Sequence, residues 1–600
     1  MSAVGSTETY VAQVRGAPDL VARRAFDAGL VTLDLCPDGT VDARWLDGEP
    51  AGMSDIEARH GADLRAECGI RIIDSLINGD PPALTDIAAP LPHDLASGGL
   101  RVLSGITFRE VRDSGLRDMH ALFDDDPRLG PSLQSQLFVY AGLGALASLP
   151  VPLNALLPDP YEFRVAASSA FQALDALDQF RSPVPGRDAD PGPRDKFAAR
   201  LATSLASHGP AMISTMLSPS YPLSKSTKNP SLLDSLLSPE TGYMRVPQAP
   251  MHSVGACASS LISLCDLAPQ MLFDHPGFHR PKLALWTSAD AATRADYRVL
   301  EAFGPNALMT STKLDALNEG RTADSRRSAA DSLAPFDIDA NGTVVGDGGS
   351  GVLITTLDFA LRNFLDITSI IVGWGQSGET GGKAHFAGVG FGGENALVHA
   401  LEVARLGHGD GIEEFGYFVA HATGTRTNSK TDLTTVANAL DIAARQAGTP
   451  AIRSPLAVGT PKALGDGHTM GETGLKAVSQ AIRYLLGESV IGVPTLRTLD
   501  PALDHLAATF DLRAAPISGN DQGGAICATQ GFGGYNGAVA LRAATADTIG
   551  RYAPEPAVLA AYLERWPEVR RRREHHEGTM RTRRGAALEL AETHRWTSPN

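Results

Sequence analysis

From about residue 250 to 545 the chain alternates short β-branched runs with longer helical ones, and this alternation constrains its fold more than any other feature. The strand-like runs include GTVV, GVLITTL, SIIVGW and GYFVAH; the helical ones are ENALVHALEVARL, KTDLTTVANALDIAARQ and LKAVSQAIRYLL. Such alternation builds layered α/β proteins, because each helix must lay its apolar face on a sheet. With 600 residues, 43% of them hydrophobic, the chain can bury a large core.

The flanks say less. Residues 1–95 mix short amphipathic stretches with Pro and Gly punctuation and read as an N-terminal extension of unknown role. RSPVPGRDADPGPRD (181–195) marks an exposed loop, and residues 546–600 read as a basic helical tail whose RRRREHHEGTMRTRR is a solvated face. The stretch LLDSLL around Ser235 resembles a phosphopantetheine attachment site, but Pro230 and Pro239 leave no room for a carrier helix bundle. A formal charge of -16 argues against general nucleic-acid binding, which needs clustered Lys and Arg. No apolar run reaches the roughly 18 to 20 residues that span a bilayer, and MSAVGSTETYVAQVR lacks the order of a secretion signal, so a cytoplasmic protein is expected.

Five cysteines (Cys36, Cys68, Cys257, Cys265, Cys527) lack CxxC spacing, which suggests neither a zinc site nor a disulfide framework. Two stretches match GxGxxG, at Gly346-Gly348-Gly351 and Gly388-Gly390-Gly393, but neither has the strand-turn-helix order of a dinucleotide site; both are expected to be tight turns. GxSxG and HExxH are absent. Cys257, in VPQAPMHSVGACASSLISLCDLAPQMLF, falls between a strand and an apolar helix, where unpaired amides and the helix dipole favour a thiolate. A buried inert cysteine is the competing reading, and this segment alone favours neither; Cys265, further into the helix, simply packs. His421 follows a β-type run in GYFVAHATGTRTNSKTD, and His468 precedes a helix in PKALGDGHTMGETGLKAVSQAI.

Taken in order, five segments resemble the β-ketoacyl synthase (ketosynthase) family of the thiolase superfamily, Cys-His-His type. GACASSL resembles its nucleophile segment, APFDIDANGTVVGDGGSGVL its PFDxxxxGFVxGEGAG segment and HATGTRTNSKTD its HGTxTxxND loop. PKALGDGHTMGETG resembles KxxxGHxxGAAG, and ATQGFGGYNGAVAL the terminal SFGFGGTN strand. The resemblance covers about residues 245 to 542 and is poor before that, so the nucleophile lies further into the chain than usual. It implies a thiolase-like five-layer αβαβα duplicated α/β fold, with one half in residues 96–340 carrying the nucleophile and a second in 341–545 carrying both histidines. It implies a homodimer, a partner acyl or peptidyl carrier protein presenting substrate on phosphopantetheine, and no bound metal or redox cofactor.

Catalytic roles would fall to Cys257, His421, His468 and Lys462. Thr423 and Thr425 would contact the pantetheine arm, Phe532 would gate the acyl pocket, and the amides of Cys257 and Phe532 would receive the oxyanion. The implied reaction is condensation of an acyl-Cys257 thioester with a malonyl-type extender in fatty-acid or polyketide biosynthesis. A cyclase or chain-releasing transferase that keeps the acyl thioester is the second hypothesis, and a silent scaffold the third. Departures cluster near the chemistry: Lys462 and His468 stand one residue further apart than usual, Tyr535 replaces a Thr, and Pro269 is expected to interrupt the nucleophile helix. Asp466 and Glu472 flank His468 as possible modulators. Facing inward they would raise its pKa and suit cyclisation; facing outward they are bland.

Overall fold

The computed structural model of the protein describes residues 31–35, 41–45, isolated positions from 134 to 157, 159–170, 251–273, 279–291, 307–309, 311–327, 331–379, 391–409, 411–448, 455–463, 467–553 and 555–573. The Ser235 stretch, the 181–195 loop and most of RRRREHHEGTMRTRR lie outside them. Within residues 1–95, β1 (Val31–Leu35) and β2 (Val41–Trp45) form an antiparallel hairpin.

Two sheets organise the rest. The first has four strands in the order β4-β3-β5-β6: β3 (Phe163–Ser168), β4 (Met251–Ser253), β5 (Leu283–Ala291) and β6 (Asp347–Thr355). Its pairs are parallel except β5 with β6. The second has six strands in the order β10-β9-β8-β11-β12-β7. These are β7 (Ser369–Gly378), β8 (Phe415–Val419), β9 (Leu456–Gly459), β10 (Phe510–Leu512), β11 (Gly524–Gly531) and β12 (Tyr535–Ala543). β8 pairs parallel with both β9 and β11, and β12 runs antiparallel to its two neighbours.

Between the sheets lie α1 (Ser259–Leu272) and, after the short helices α2 (Ser311–Asn318) and α3 (Leu357–Arg362), the later α6 (Thr473–Leu485). α1 touches β3 and β5 on one side and β7, β11 and β12 on the other; α6 rests on β8 and β11. A helix held between two sheets is buried on nearly every side: every residue of α6 except Arg483 is buried, the polar Lys476, Ser479 and Gln480 included. Leu261, Leu264, Leu267 and Met271 of α1 join Leu475, Val478 and Ile482 of α6 in this central core. Each fully buried side chain of that size contributes about 1.5–3 kcal/mol. On the far face of the six-stranded sheet, α4 (Phe391–His408) and α5 (Arg426–Ala447) form the next layer and a second core. Strands covered on both faces read as continuous runs of buried residues, as in β11, GAICATQG. The last described elements are α7 (Ala546–Tyr552) and a helix over 556–573, anchored by a hydrogen bond from Tyr562 Oη to the Leu365 carbonyl (3.0 Å).

Three expectations change. Pro269 does not interrupt α1: it sits inside the helix, which runs on to Leu272. Gly348 and Gly351 are not in a tight turn but within β6; Gly393 lies in the first turn of α4, and Gly388 and Gly390 lie outside the described residues. Finally, β6 lies beyond a boundary at 340/341 yet completes the first sheet, so sheet membership places the division between the halves in the stretch from β6 to β7.

Candidate active site

Cys257 occupies a sharp turn between β4 and α1. Ala256 is held at φ +49°, a left-handed conformation costly for a side chain with a Cβ. Ser259 secures the turn by accepting the Gly255 amide (2.8 Å) and donating to the Ser169 carbonyl (3.0 Å). The hydroxyl is therefore committed to the turn rather than to making space for substrate. The amides of Cys257 and Phe532 both act on the sulfur and favour its charged form, as donors for an oxyanion would. Burial outweighs them. It pushes the thiol up to about 12, with Lys462 opposing and Asp290 reinforcing the shift, so the sulfur rests as a neutral thiol. A helix N-terminus favours a thiolate, but exclusion of water costs the charge more.

His421 stands two residues past the end of β8, followed by Ala422 at φ +43°. The Asp432 carboxylate, from α5, accepts the Ala422 amide (2.7 Å) and that of His421. His468 is fixed by a bridge to the Val344–Gly346 segment: its amide donates to the Val344 carbonyl (2.7 Å), and its carbonyl accepts from Gly346 (3.0 Å). The Gly467 amide donates to the Lys462 carbonyl (3.0 Å), an i+5 to i bond that ties together the described ends of the segment between Lys462 and His468. Lys462 Nζ donates to the His421 carbonyl and lies 3.5 Å from His421 Nδ1.

The structure thus brings together Cys257, His421, His468 and Lys462, all buried. His468 Nε2 is 3.1 Å from Cys257 Sγ, and the two imidazoles meet edge to face with centroids 5.3 Å apart. One nitrogen from each ring and the sulfur lie within 4.8 Å of one another. Burial, then the Lys462 charge, holds both histidines well below the ordinary imidazole range, so both are neutral at physiological pH. Burial also lowers Lys462, and the nearby Asp432 carboxylate opposes that shift.

Thr423 and Thr425 are half-buried, with hydroxyls 3.4 Å apart, and Thr425 also caps α5 by accepting the Asn428 amide (3.2 Å). Phe532 is half-buried beyond the end of β11. Asp466 lies outside the described residues. Glu472 faces inward and is wholly buried, yet its carboxylate accepts the hydroxyls of Ser350 and Thr469, the latter at 2.5 Å. It does not raise the pKa of His468, which is lowered.

Two acids went unassigned in the sequence. Asp432 was visible at the end of HATGTRTNSKTD, but Ser429 fills the acidic position of HGTxTxxND and the functional carboxylate sits one turn later. Asp290 ends the β-type run LALWTSAD, and an acid closing a buried strand was its single signal.

No family model matches the chain. It is 30% identical over 217 residues to 3-oxoacyl-[acyl-carrier-protein] synthase 2 of Mycobacterium tuberculosis, covering 35% of this chain and 46% of that protein. It is also 30% identical over 206 residues to a Saccharomyces cerevisiae homologue of that enzyme, covering 34% and 43% respectively. The aligned region thus spans less than half the length of these curated relatives. Among solved structures it resembles the ketosynthase FabY from P. aeruginosa, with a TM-score of 0.55 at 17% identity, over 97% of this chain and 87% of that one. That likeness concerns the fold and extends along nearly the whole chain, while the sequence similarity to curated β-ketoacyl synthases covers about a third of it. The chain is accordingly a homologue of the β-ketoacyl synthases, thiolase-like in fold and built around a Cys-His-His triad.

Proposed function

We propose that the protein is a condensing acyltransferase that forms an acyl-Cys257 thioester and joins it to a malonyl-type unit presented on a carrier protein, in fatty-acid or polyketide assembly. The observation that carries this reading is the contact of Cys257 Sγ with His468 Nε2, with His421 edge-on and Lys462 behind it. In the first stage the neutral thiol attacks the incoming thioester carbonyl while His468 Nε2 takes its proton. The oxyanion is received by the amides of Cys257 and Phe532, donors worth about 3–4 kcal/mol each. Collapse expels the pantetheine thiolate, which recovers the proton from His468.

In the second stage the malonyl unit loses carbon dioxide and its enolate oxygen needs two N–H donors. A Lys462 ammonium facing His421 Nδ1 makes that nitrogen an acceptor and leaves the proton on Nε2, the donor tautomer. Nδ1 of His468 has no partner among the described residues, so none of these fixes its tautomer and Nε2 can accept in one stage and donate in the next. The enolate carbon then attacks the acyl thioester and releases Cys257.

Elongation is preferred to cyclisation because the inward acid that would have supported a basic His468 is occupied by two hydroxyls. A homodimer is part of the proposal: β4 is an edge strand leading to Val254, which is 55% exposed beside the nucleophile turn, and sedimentation reads the stoichiometry. The M. tuberculosis and S. cerevisiae relatives support a carrier-protein partner, with Thr423 and Thr425 for the arm. The test is intact-protein mass spectrometry with a panel of acyl carrier proteins. Cys257→Ala should abolish acyl loading and Cys265→Ala should retain it, and wild type should release carbon dioxide from malonyl carrier protein. Loading that survives loss of Cys257 rejects the mechanism.

A further inference from the structure

Asp290 closes β5 and is wholly buried. Its Oδ1 accepts the Ala170 amide at 3.1 Å, and Oδ2 accepts the same amide at 2.9 Å and that of Gly471 at 2.8 Å. These two amides belong to the two segments that hold the nucleophile and its base. Ala170 follows Ser169, whose carbonyl receives Ser259 Oγ and so braces the Cys257 turn. Gly471 lies in the tight turn Met470–Glu472 between His468 and α6, where Met470 is held at φ +50°. The fit is close: a Cβ on Gly471 would collide with the Ala170 amide and come within 2.9 Å of Asp290 Oδ2. One carboxylate therefore ties the brace of the nucleophile to the turn that carries its base.

The same carboxylate acts on the sulfur through space. Among the described residues, the charged and titratable groups that face Cys257 are Lys462 from the segment after β9, His421 and His468, both neutral, and Asp290 from β5. Lys462 favours a thiolate and Asp290 opposes one. Glu472 and Asp432 act on Lys462 instead.

We propose that Asp290 is a positioning residue with two effects: it sets the Cys257–His468 geometry by clamping both turns, and its charge adds to the burial that keeps Cys257 a thiol until His468 takes the proton during attack. A thiol held in that form resists alkylation and oxidation while the site stands empty, and is activated when an acyl thioester arrives. The proposal rests on Cys257 as the nucleophile.

The experiment follows alkylation of Cys257 by iodoacetamide in the full-length protein across about pH 6 to 11, by intact mass, with Cys257→Ala as the blank. In wild type the rate should rise at strongly alkaline pH. In Asp290→Asn the rising limb should move down by about one pH unit or more, because a like charge has gone. Acyl loading should slow about tenfold or more as the clamp loosens. Asp290→Glu keeps the charge but adds a methylene where Gly471 sits, so its alkylation limb should match wild type while loading still slows. That contrast separates charge from mere packing. An Asp290→Asn limb that coincides with wild type overturns the electrostatic effect, and wild-type loading in both variants overturns the clamp. Should neither variant fold, a wild-type limb centred near the ordinary thiol value of about 8.5 still defeats the proposal. Failure of the acyl-enzyme reading has a different signature, loading that survives Cys257→Ala, and leaves the alkylation result standing.

Discussion

At the scale of single residues, the site works with neutral partners. Burial pushes the thiol up and the two imidazoles down, which disfavours a resting thiolate–imidazolium pair. Proton transfer is therefore expected to accompany attack, which suits the 3.1 Å contact between Cys257 and His468. Lys462 has a separate task. In the proposed mechanism, by facing His421 Nδ1 it selects the tautomer that donates to an enolate, a group absent from the loading stage. Lys462→Met and His421→Ala should accordingly lose malonyl decarboxylation by about 10²- to 10³-fold, as expected for one lost donor, with acyl loading much less affected. Parallel measurement of the two half-reactions checks this. Equal losses in both would mean that Lys462 and His421 act on the whole site rather than on the enolate.

At the scale of elements, catalysis depends on two helices meeting end to end between the sheets. α1 begins just after Cys257 and α6 just after His468, and they approach closely where Gly474 faces Ser260, whose hydroxyl accepts the Leu475 amide (3.0 Å). A Cβ on Gly474 would lie 2.6 Å from Ser260 Oγ and 2.8 Å from Leu261 Cγ, atoms fixed by the central core. Gly474→Ala is expected to cost about 1–3 kcal/mol of stability by overpacking. It should also slow acyl loading by separating sulfur and base. Chemical denaturation with a loading assay reads both, and a variant as stable and as fast as wild type would show that the helices have room to spare. Strain sits at the element ends too: Ala256, Ala422 and Met470, all with positive φ, each lie within two residues of a triad member.

For the whole molecule, the same buried histidines couple activity to acid stability. The folded state holds His421 and His468 neutral, whereas the unfolded chain protonates them near pH 6.5. Their folded pKa values are lowered, so the unfolded state binds more protons as pH falls below about 6.5, and stability drops through that window. Above it the groups are neutral in both states and contribute no pH dependence. Thermal midpoints should fall between about pH 7.5 and 5.5, and His421→Asn should show a shallower fall. A wild-type midpoint that holds steady over this range would mean that the site admits water and protons. Asp339, held at about 2 by hydrogen bonds from Arg321 and Arg327, adds a loss at much lower pH, as the carboxylate is titrated from about 3.8 downward.

The alternation of strand and helix, and the order of the segments around Cys257, His421 and His468, were legible in the sequence because periodicity and small-residue turns are local properties. Lys462 was legible for the same reason, standing between a proline and a glycine loop. The protonation state of Cys257 was not. Its helix N-terminus suggested a thiolate, but the cost of a charge depends on how much water the two sheets exclude and on Asp290, which arrives from another strand. Likewise Glu472 looked the same on paper whether it faced solvent or core; Ser350 from the first sheet supplies the hydroxyl that makes burial tolerable. The role of Asp432 and the division of the halves after β6 were decided in the same way, by which chain segments pack together. Sequence determined which groups are candidates for the chemistry; tertiary packing decided their charge, because electrostatic free energy is set by neighbours in space and by the solvent they displace.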